Sequence, residues 1–131
     1  MQKAIKGAFP AKTYKSLRDI LMDHELASLG DAFINFTYSL FLSVKKGRPV
    51  GAKVKGAFLA EAIRRSGLRD KIGSRMSSHD LADGAEALVV YAWLHRCITL
   101  EESVEVLRKS DDPVEGLNEL LRKIVHRIRL S

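Results

Sequence analysis

Three carboxylates in this chain stand where a charge is hard to keep. Leu29-Gly30-Asp31-Ala32 and Leu81-Ala82-Asp83-Gly84-Ala85-Glu86-Ala87-Leu88 each set acids inside an apolar stretch. A lone carboxylate there is unfavourable unless it is paired, neutralised or bound to a metal. Asp83 and Glu86 are three residues apart, so a helix turns both to one face. Asp31 belongs to a separate helical segment that can bring it opposite them. Three carboxylates converging from two helices predict a hard-cation site, because Mg²⁺ takes oxygen ligands. Such a site implies phosphate chemistry. Gly30 and Gly84 adjoin these acids, and glycine inside a helix costs about 1 kcal/mol against alanine. Close approach of a neighbouring helix or a ligand is the expected reason for both.

The elements that must position these acids read as helices throughout, with no sustained strand alternation. A first helix is predicted from near Thr13, with Tyr14, Leu17, Ile20 and Leu21 on one stripe. A long second helix follows, with Leu26, Leu29, Phe33, Phe36, Leu40 and Val44 as its expected inner face, and Gly47-Arg48-Pro49-Val50-Gly51 breaks it. A third carries Val54, Phe58, Leu59, Ala62 and Ile63 and stops at Gly67. Leu68 to Gly73 is short and ambiguous. The fifth starts near Ser77 or Ser78, runs to about Arg96, and is apolar almost all round, which places it in the middle of the fold. Thr99-Leu100-Glu101-Glu102 has the pattern of a capping box. Asp112-Pro113 opens the last helix, with Val114, Leu117, Leu121, Ile124 and Ile128 turned inward. The expectation is a single all-α domain over residues 1–131.

Composition narrows the class. Of 131 residues, 46% are apolar, which argues against disorder and for a real core. The single cysteine, Cys97, beside Trp93 and Leu94, reads as a small buried hydrophobe in a reducing compartment. No apolar run reaches the roughly 20 residues a bilayer demands. Lys3 and Lys6 interrupt the N-terminus where a signal peptide would be apolar. A soluble cytoplasmic protein is expected. The formal charge of +6 divides unevenly, with residues 1–75 at +9 and residues 76–131 at −3. A basic half beside an acidic half suits a polyanion gripped by one part and processed by the other.

The acidic patches resemble the signatures of the ribonuclease III endonucleases. Leu29-Gly30-Asp31-Ala32 is similar to the end of that family's first signature. Leu81-Ala82-Asp83-Gly84-Ala85-Glu86-Ala87-Leu88 resembles its Leu-Ala-Asp-x-x-Glu-Ala-Leu segment. Between them, Val54-Lys55-Gly56-Ala57-Phe58-Leu59-Ala60-Glu61 is similar to its Val-Arg-Gly-Asn-x-x-Leu-Ala-Glu helix. The three occur in the family's order, over a core of about residues 20–95 with a helical extension at 96–131. The resemblance implies an all-α ribonuclease III-like fold and a homodimer that hydrolyses phosphodiesters of double-stranded or structured RNA with Mg²⁺, Mn²⁺ being the alternative ion. It also implies that Asp31, Asp83 and Glu86 are metal ligands and that Glu61 is a further catalytic acid. Lys45, Lys46, Arg48, Lys53 and Lys55 are then expected to meet RNA phosphates, with Arg64, Arg65, Arg69 and Arg75 as looser candidates. A-form RNA is read largely by shape, 2′-hydroxyls and phosphates, so no base-reading motif is expected.

The first signature also departs from the pattern. The family has glutamates where this chain has Ala27 and His24, on the same helical face as Asp31. Ala-x-Leu-Gly-Asp-Ala resembles the short mini-ribonuclease III branch, which lacks an RNA-binding domain and one of those glutamates. Residues 96–131 read as two helices and not as a mixed α/β RNA-binding module. Grip is therefore expected from this domain, from a dimer groove or from an accessory RNA-binding protein. Phe33, Phe36, Tyr38 and Phe41 are candidates for the dimer face. The main alternative is a catalytically reduced RNA- or ribosome-binding protein of the same fold. Glu101-Glu102-x-x-Glu105 raises a nucleotide pyrophosphohydrolase as a distant rival, although helix capping and the helix dipole account for these acids. His24, His79, His95 and His126 show no metal-ligand spacing; His24 and His79 are placed for a supporting role near the acids.

Overall fold

A computed structural model describes residues 9, 12–73 and 76–130. Its described residues form seven helices and no strand: α1 (Leu17–Leu21), α2 (His24–Lys46), α3 (Gly56–Ser66), α4 (Arg69–Ile72), α5 (Ser78–Leu94), α6 (Leu100–Arg108) and α7 (Pro113–Arg127). The all-α class expected from the sequence is what the described residues show. None of these helices is long and apolar enough to cross a membrane.

Helix α5 is the axis of the molecule. Leu81, Ala82, Ala85, Leu88, Val89 and Ala92 point in different directions round it, yet all are buried. Burial is possible on every side because α2, α3 and α1 surround α5, with α7 reaching it from beyond α3. Its start is set by Ser77, whose hydroxyl accepts from the Asp80 amide while the Asp80 carboxylate accepts from Ser77 N. Helix α6 lies against α2 and α7.

The punctuation of the chain works locally as its residue types dictate. Asp23 caps α2 by accepting from the Glu25 and Leu26 amides. Gly47 and Gly67 end α2 and α3 in the left-handed region, at φ of 71° and 82°. Asp112 accepts from Val114 N, and Pro113 occupies the first turn of α7, where its missing N–H costs nothing.

Three expectations are corrected. The first of the described helices begins at Leu17 behind a Ser16–Asp19 capping box and not near Thr13. Tyr14 stands outside it, donating its hydroxyl to Asp23 at 2.7 Å and meeting Tyr91 edge-on. Thr99 accepts from Glu102 N, but Glu102 does not close a capping box. Its carboxylate instead receives both guanidinium nitrogens of Arg127 at 2.6 Å, tying α6 to the end of α7.

The third correction matters most. The inner face of α2 is Leu26, Ala27, Gly30, Ile34, Thr37 and Phe41, not the bulkier stripe read from the sequence. Leu29, Phe36 and Val44 are 41%, 55% and 52% exposed, with Phe33 and Leu40 half-buried between them. Both stripes have helical spacing. The small residues Ala27 and Gly30 face α5 because only they let the two helices approach closely. Of the aromatics expected at a dimer face, Phe41 is core, Tyr38 packs beside it, and Phe33 rests against Trp93 at 5.0 Å between ring centres.

After Gly47 the chain turns back and runs extended beside α2. Ser43 Oγ accepts from Val50 N, its own proton lying nearer Ser39 O (2.7 Å) than Val50 O (3.1 Å), and Ser39 Oγ accepts from Ala52 N and donates to Ala52 O. Asn35 Oδ1 then accepts from Val54 N at 2.8 Å. Four helical residues rise about 6 Å and two extended residues span roughly 6.6 Å, so a polar residue every fourth helical position meets every second residue of the strap. Lys53, between Ala52 and Val54, and Lys55, just after Val54, are exposed.

Candidate functional site

The acids sit where α2 and α5 cross. A Cβ at Gly30 would lie 2.0 Å from the carbonyl oxygen of Glu86, so the crossing exists only because residue 30 has no side chain. Asp31, the next residue, is thereby placed at the rim of a cleft of about 300 Å³ that Asp83 and Glu86 also line. His24, Ala27, Ser28 and His79 complete its walls. Gly84 plays a milder part: a Cβ there would meet the Ile72 methyl at 3.2 Å and Leu21 at 3.4 Å.

The three carboxylates lie in graded environments. Asp31 is exposed, the Asp83 side chain is 20% exposed, and Glu86 is buried at 7%. Burial pushes the Glu86 carboxyl up to about 8, helped by a hydrogen bond with Asp31 and by the charges of Asp31 and Asp83. At neutral pH Glu86 therefore keeps its proton and donates it to Asp31. Asp83 is flanked by imidazoles, with His24 Nδ1 at 3.3 Å and His79 Nε2 at 3.7 Å from the same oxygen. His24 thus stands beside Asp83, and Ala27 is buried in the crossing.

Chemically this is an oxygen-rich cluster whose buried member is neutralised by a proton, an arrangement a hard divalent cation can take over. Among the described residues no three His, Cys, Asp or Glu side chains converge tightly enough to hold an ion as they stand. The carboxylates would have to swing toward it.

Asn35 was not anticipated as a site residue. Its Nδ2 donates to Asp31 Oδ1 at 3.1 Å while its Oδ1 holds Val54. The available signal was its position four residues after Asp31, on the same helical face.

The remaining expected residues fall elsewhere. Glu61 does not line the cleft; it pairs with Arg64 at 3.5 Å and Arg65 at 3.3 Å. Arg65 continues to Asp112 and Glu115 at the start of α7, and Arg64 donates to Ser78 Oγ at the start of α5. Lys45, Lys46 and Arg48 are exposed around the end of α2, with the Lys45 ammonium 5.9 Å from the Phe41 ring centre. Lys53 and Lys55 project from the strap, Lys55 lying 5.6 Å from the Phe58 ring centre. Arg75, like Lys3 and Lys6, lies outside the described residues. Cys97 is half-buried and unbridged, and burial raises its thiol above the ordinary range.

Compared with known proteins, residues 24–126 match the model of the family described as Ribonuclease III. No curated protein matches the chain.

Proposed function

Because the chain belongs to the ribonuclease III family of RNA-processing nucleases, we propose that it is a divalent-metal-dependent endoribonuclease acting on double-stranded or structured RNA. The observation that carries this reading is the gathering of Asp31, Asp83 and Glu86 in one cleft at the Gly30 crossing. Family members generally use a divalent metal, and these three carboxylates are the groups we assign to Mg²⁺ or Mn²⁺. Such an ion supplies a water of lowered pKa and neutralises charge building on the scissile phosphate.

The chain's own residues then divide the work. Asp31 and Glu86, on facing helices, would hold the ion, and Glu86 would have to give up its proton to do so. Asp83, one turn earlier on α5, would be the third ligand, with His24 and His79 beside its carboxylate. Lys53 and Lys55 take backbone phosphates along the strap, and Lys45, Lys46 and Arg48 extend that contact past the end of α2. Glu61, held by Arg64 and Arg65, keeps α3 in place against α7 through the Arg65 pairs. The apolar stripe of exposed Leu29, Phe36 and Val44, with half-buried Phe33 and Leu40 between them, is the face we assign to a second copy, in a family whose domains usually dimerise. Two sites would then face the two strands of one duplex.

A second reading, a catalytically reduced RNA- or ribosome-binding protein, is favoured by one observation. Ala27 and His24 bring no carboxylate to the cleft wall. Cleavage of a duplex RNA in Mg²⁺ and in Mn²⁺, with Asp83→Asn as the control, separates the two. Metal-dependent cutting that Asp83→Asn abolishes supports the nuclease. Clear RNA binding without cutting in either metal supports the binding protein.

A further inference from the structure

We propose that Asn35 is a positioning residue that fixes the Asp31 carboxylate and ties it to the lysine-bearing strap, so that metal site and RNA contact share one register. The inference rests on the metal reading of Asp31 given above.

The amide of Asn35 has no freedom to turn. Val54 N–H can only donate, so the atom it meets at 2.8 Å must be the Asn35 oxygen. The NH₂ group is then forced to face Asp31, which it reaches at 3.1 Å. An ordinary exposed pair four residues apart on a helix swings freely and contributes only about 0.2–0.5 kcal/mol. Here one end of the pair is clamped by a backbone group of another segment, with Val54 itself buried. Asp31 is otherwise exposed, and without that clamp its carboxylate has several rotamers open to it. With it, one oxygen is occupied by the Asn35 amide and the carboxylate is presented toward Glu86 and the cleft.

The same clamp sets where the lysines stand. Ser43, Ser39 and Asn35 hold Val50, Ala52 and Val54 in succession, and the last rung is the one that touches the acid. Lys53 and Lys55 flank Val54 directly. A phosphate bound by these lysines is therefore two hydrogen bonds from Asp31, through Val54 N and the Asn35 amide.

The test compares Mn²⁺ binding to the wild-type protein, to Asn35→Ala and to Ser39→Ala, read from the free-ion Mn²⁺ signal in electron paramagnetic resonance, without any turnover. Alanine is a good helix former, and in Asn35→Ala the strap keeps its hydrogen bonds to Ser39 and Ser43. The variant should fold, which a melting curve without metal checks. Ser39→Ala removes two strap hydrogen bonds and leaves Asp31 and Asn35 untouched. The expected result is that Asn35→Ala binds Mn²⁺ about ten- to a hundredfold more weakly, the usual cost of losing a group that orients a ligand. Ser39→Ala should stay within about twofold of wild type, well below that range. Equal binding by Asn35→Ala and wild type overturns the inference and leaves the metal reading standing. Equal weakening by both variants also overturns it, because loosening the strap would then be the cause. A wild-type protein that takes up no Mn²⁺ overturns the metal reading, and the inference with it.

Discussion

Glu86 offers the sharpest test of the site, because its burial has a calculable consequence for stability. Its carboxyl titrates near 8 in the folded protein against an ordinary 4.5, first because it is buried and then because Asp31 and Asp83 adjoin it. Above about pH 5 the unfolded chain releases this proton while the folded chain keeps it. The folded state binds more protons throughout that window, so stability falls as pH rises and levels off once the folded group ionises, above about pH 8. At roughly 1.4 kcal/mol per pH unit, the loss between about pH 5 and about pH 9 approaches 4 kcal/mol. Glutamine at this position cannot ionise and still offers an N–H to Asp31. The perturbation is therefore Glu86→Gln, and the assay is urea denaturation of both proteins in a chelator at several pH values. The difference between them cancels every other titrating group that the substitution does not touch. It should move in favour of the variant by about 4 kcal/mol across the window.

Adding Mg²⁺ at about pH 8 completes the experiment. An ion at a hundred times its dissociation constant stabilises the wild type by about 3 kcal/mol, offsetting most of the loss. Glu86→Gln should recover much less. A difference between the proteins that stays flat with pH refutes the account of Glu86 as a buried carboxyl pressed by two neighbours. Equal stabilisation of both by Mg²⁺ refutes its assignment as a ligand.

Other consequences follow from the same geometry. Gly30→Ala should destabilise the protein by about 3 kcal/mol or more in denaturation, since a 2.0 Å contact with backbone cannot be relieved by a side-chain shift. Gly84→Ala should lie within about 1 kcal/mol of wild type, because the Ile72 and Leu21 methyls can yield and alanine gains helix propensity. Phe36→Lys, which puts a charge on the most exposed of the α2 apolar residues, should convert a dimer to a monomer in sedimentation. A wild-type protein that sediments as a monomer at every concentration removes that face from the proposal. Replacing Lys53 and Lys55 together by alanine should flatten the salt dependence of duplex RNA affinity by about 0.9 log unit per lost phosphate contact. An unchanged slope would show that the strap does not touch the RNA backbone.

The helices were legible because each carries its own start or stop. Ser77, Asp112, Gly47 and Gly67 act through their own side chains or backbone freedom, within a turn of where they stand. What the sequence concealed were choices made between segments. Helix α2 has two apolar stripes of equal periodicity, and only the requirement that α5 come close selects the one with Ala27 and Gly30. Tyr14 keeps apolar spacing with Leu17 yet belongs to no helix, because its hydroxyl is recruited by Asp23. Glu102 has a box partner three residues away in sequence but is captured by Arg127, whose paired nitrogens outcompete a lone backbone amide.

The site divides along the same line. Asp31, Asp83 and Glu86 were visible because charge inside apolar helices is rare and glycine beside it rarer, and both signals are local. Asn35, Ser39 and Ser43 look like ordinary polar residues on a helix surface until a strap from further along the chain lies against them. Their function depends on the match between a helical rise of four residues and an extended rise of two, which no single segment displays. Glu61 shows the opposite case, a residue whose role came from resemblance alone and whose surroundings are a chain of ion pairs from α3 to α7. A glutamate in place of Ala27 would set a further carboxylate in the wall of the cleft. It would stand beside a Glu86 already pressed by Asp31 and Asp83, so like-charge repulsion in the absence of a cation would grow. Alanine there lowers that repulsion and, with it, the number of oxygen ligands the cleft can offer a cation.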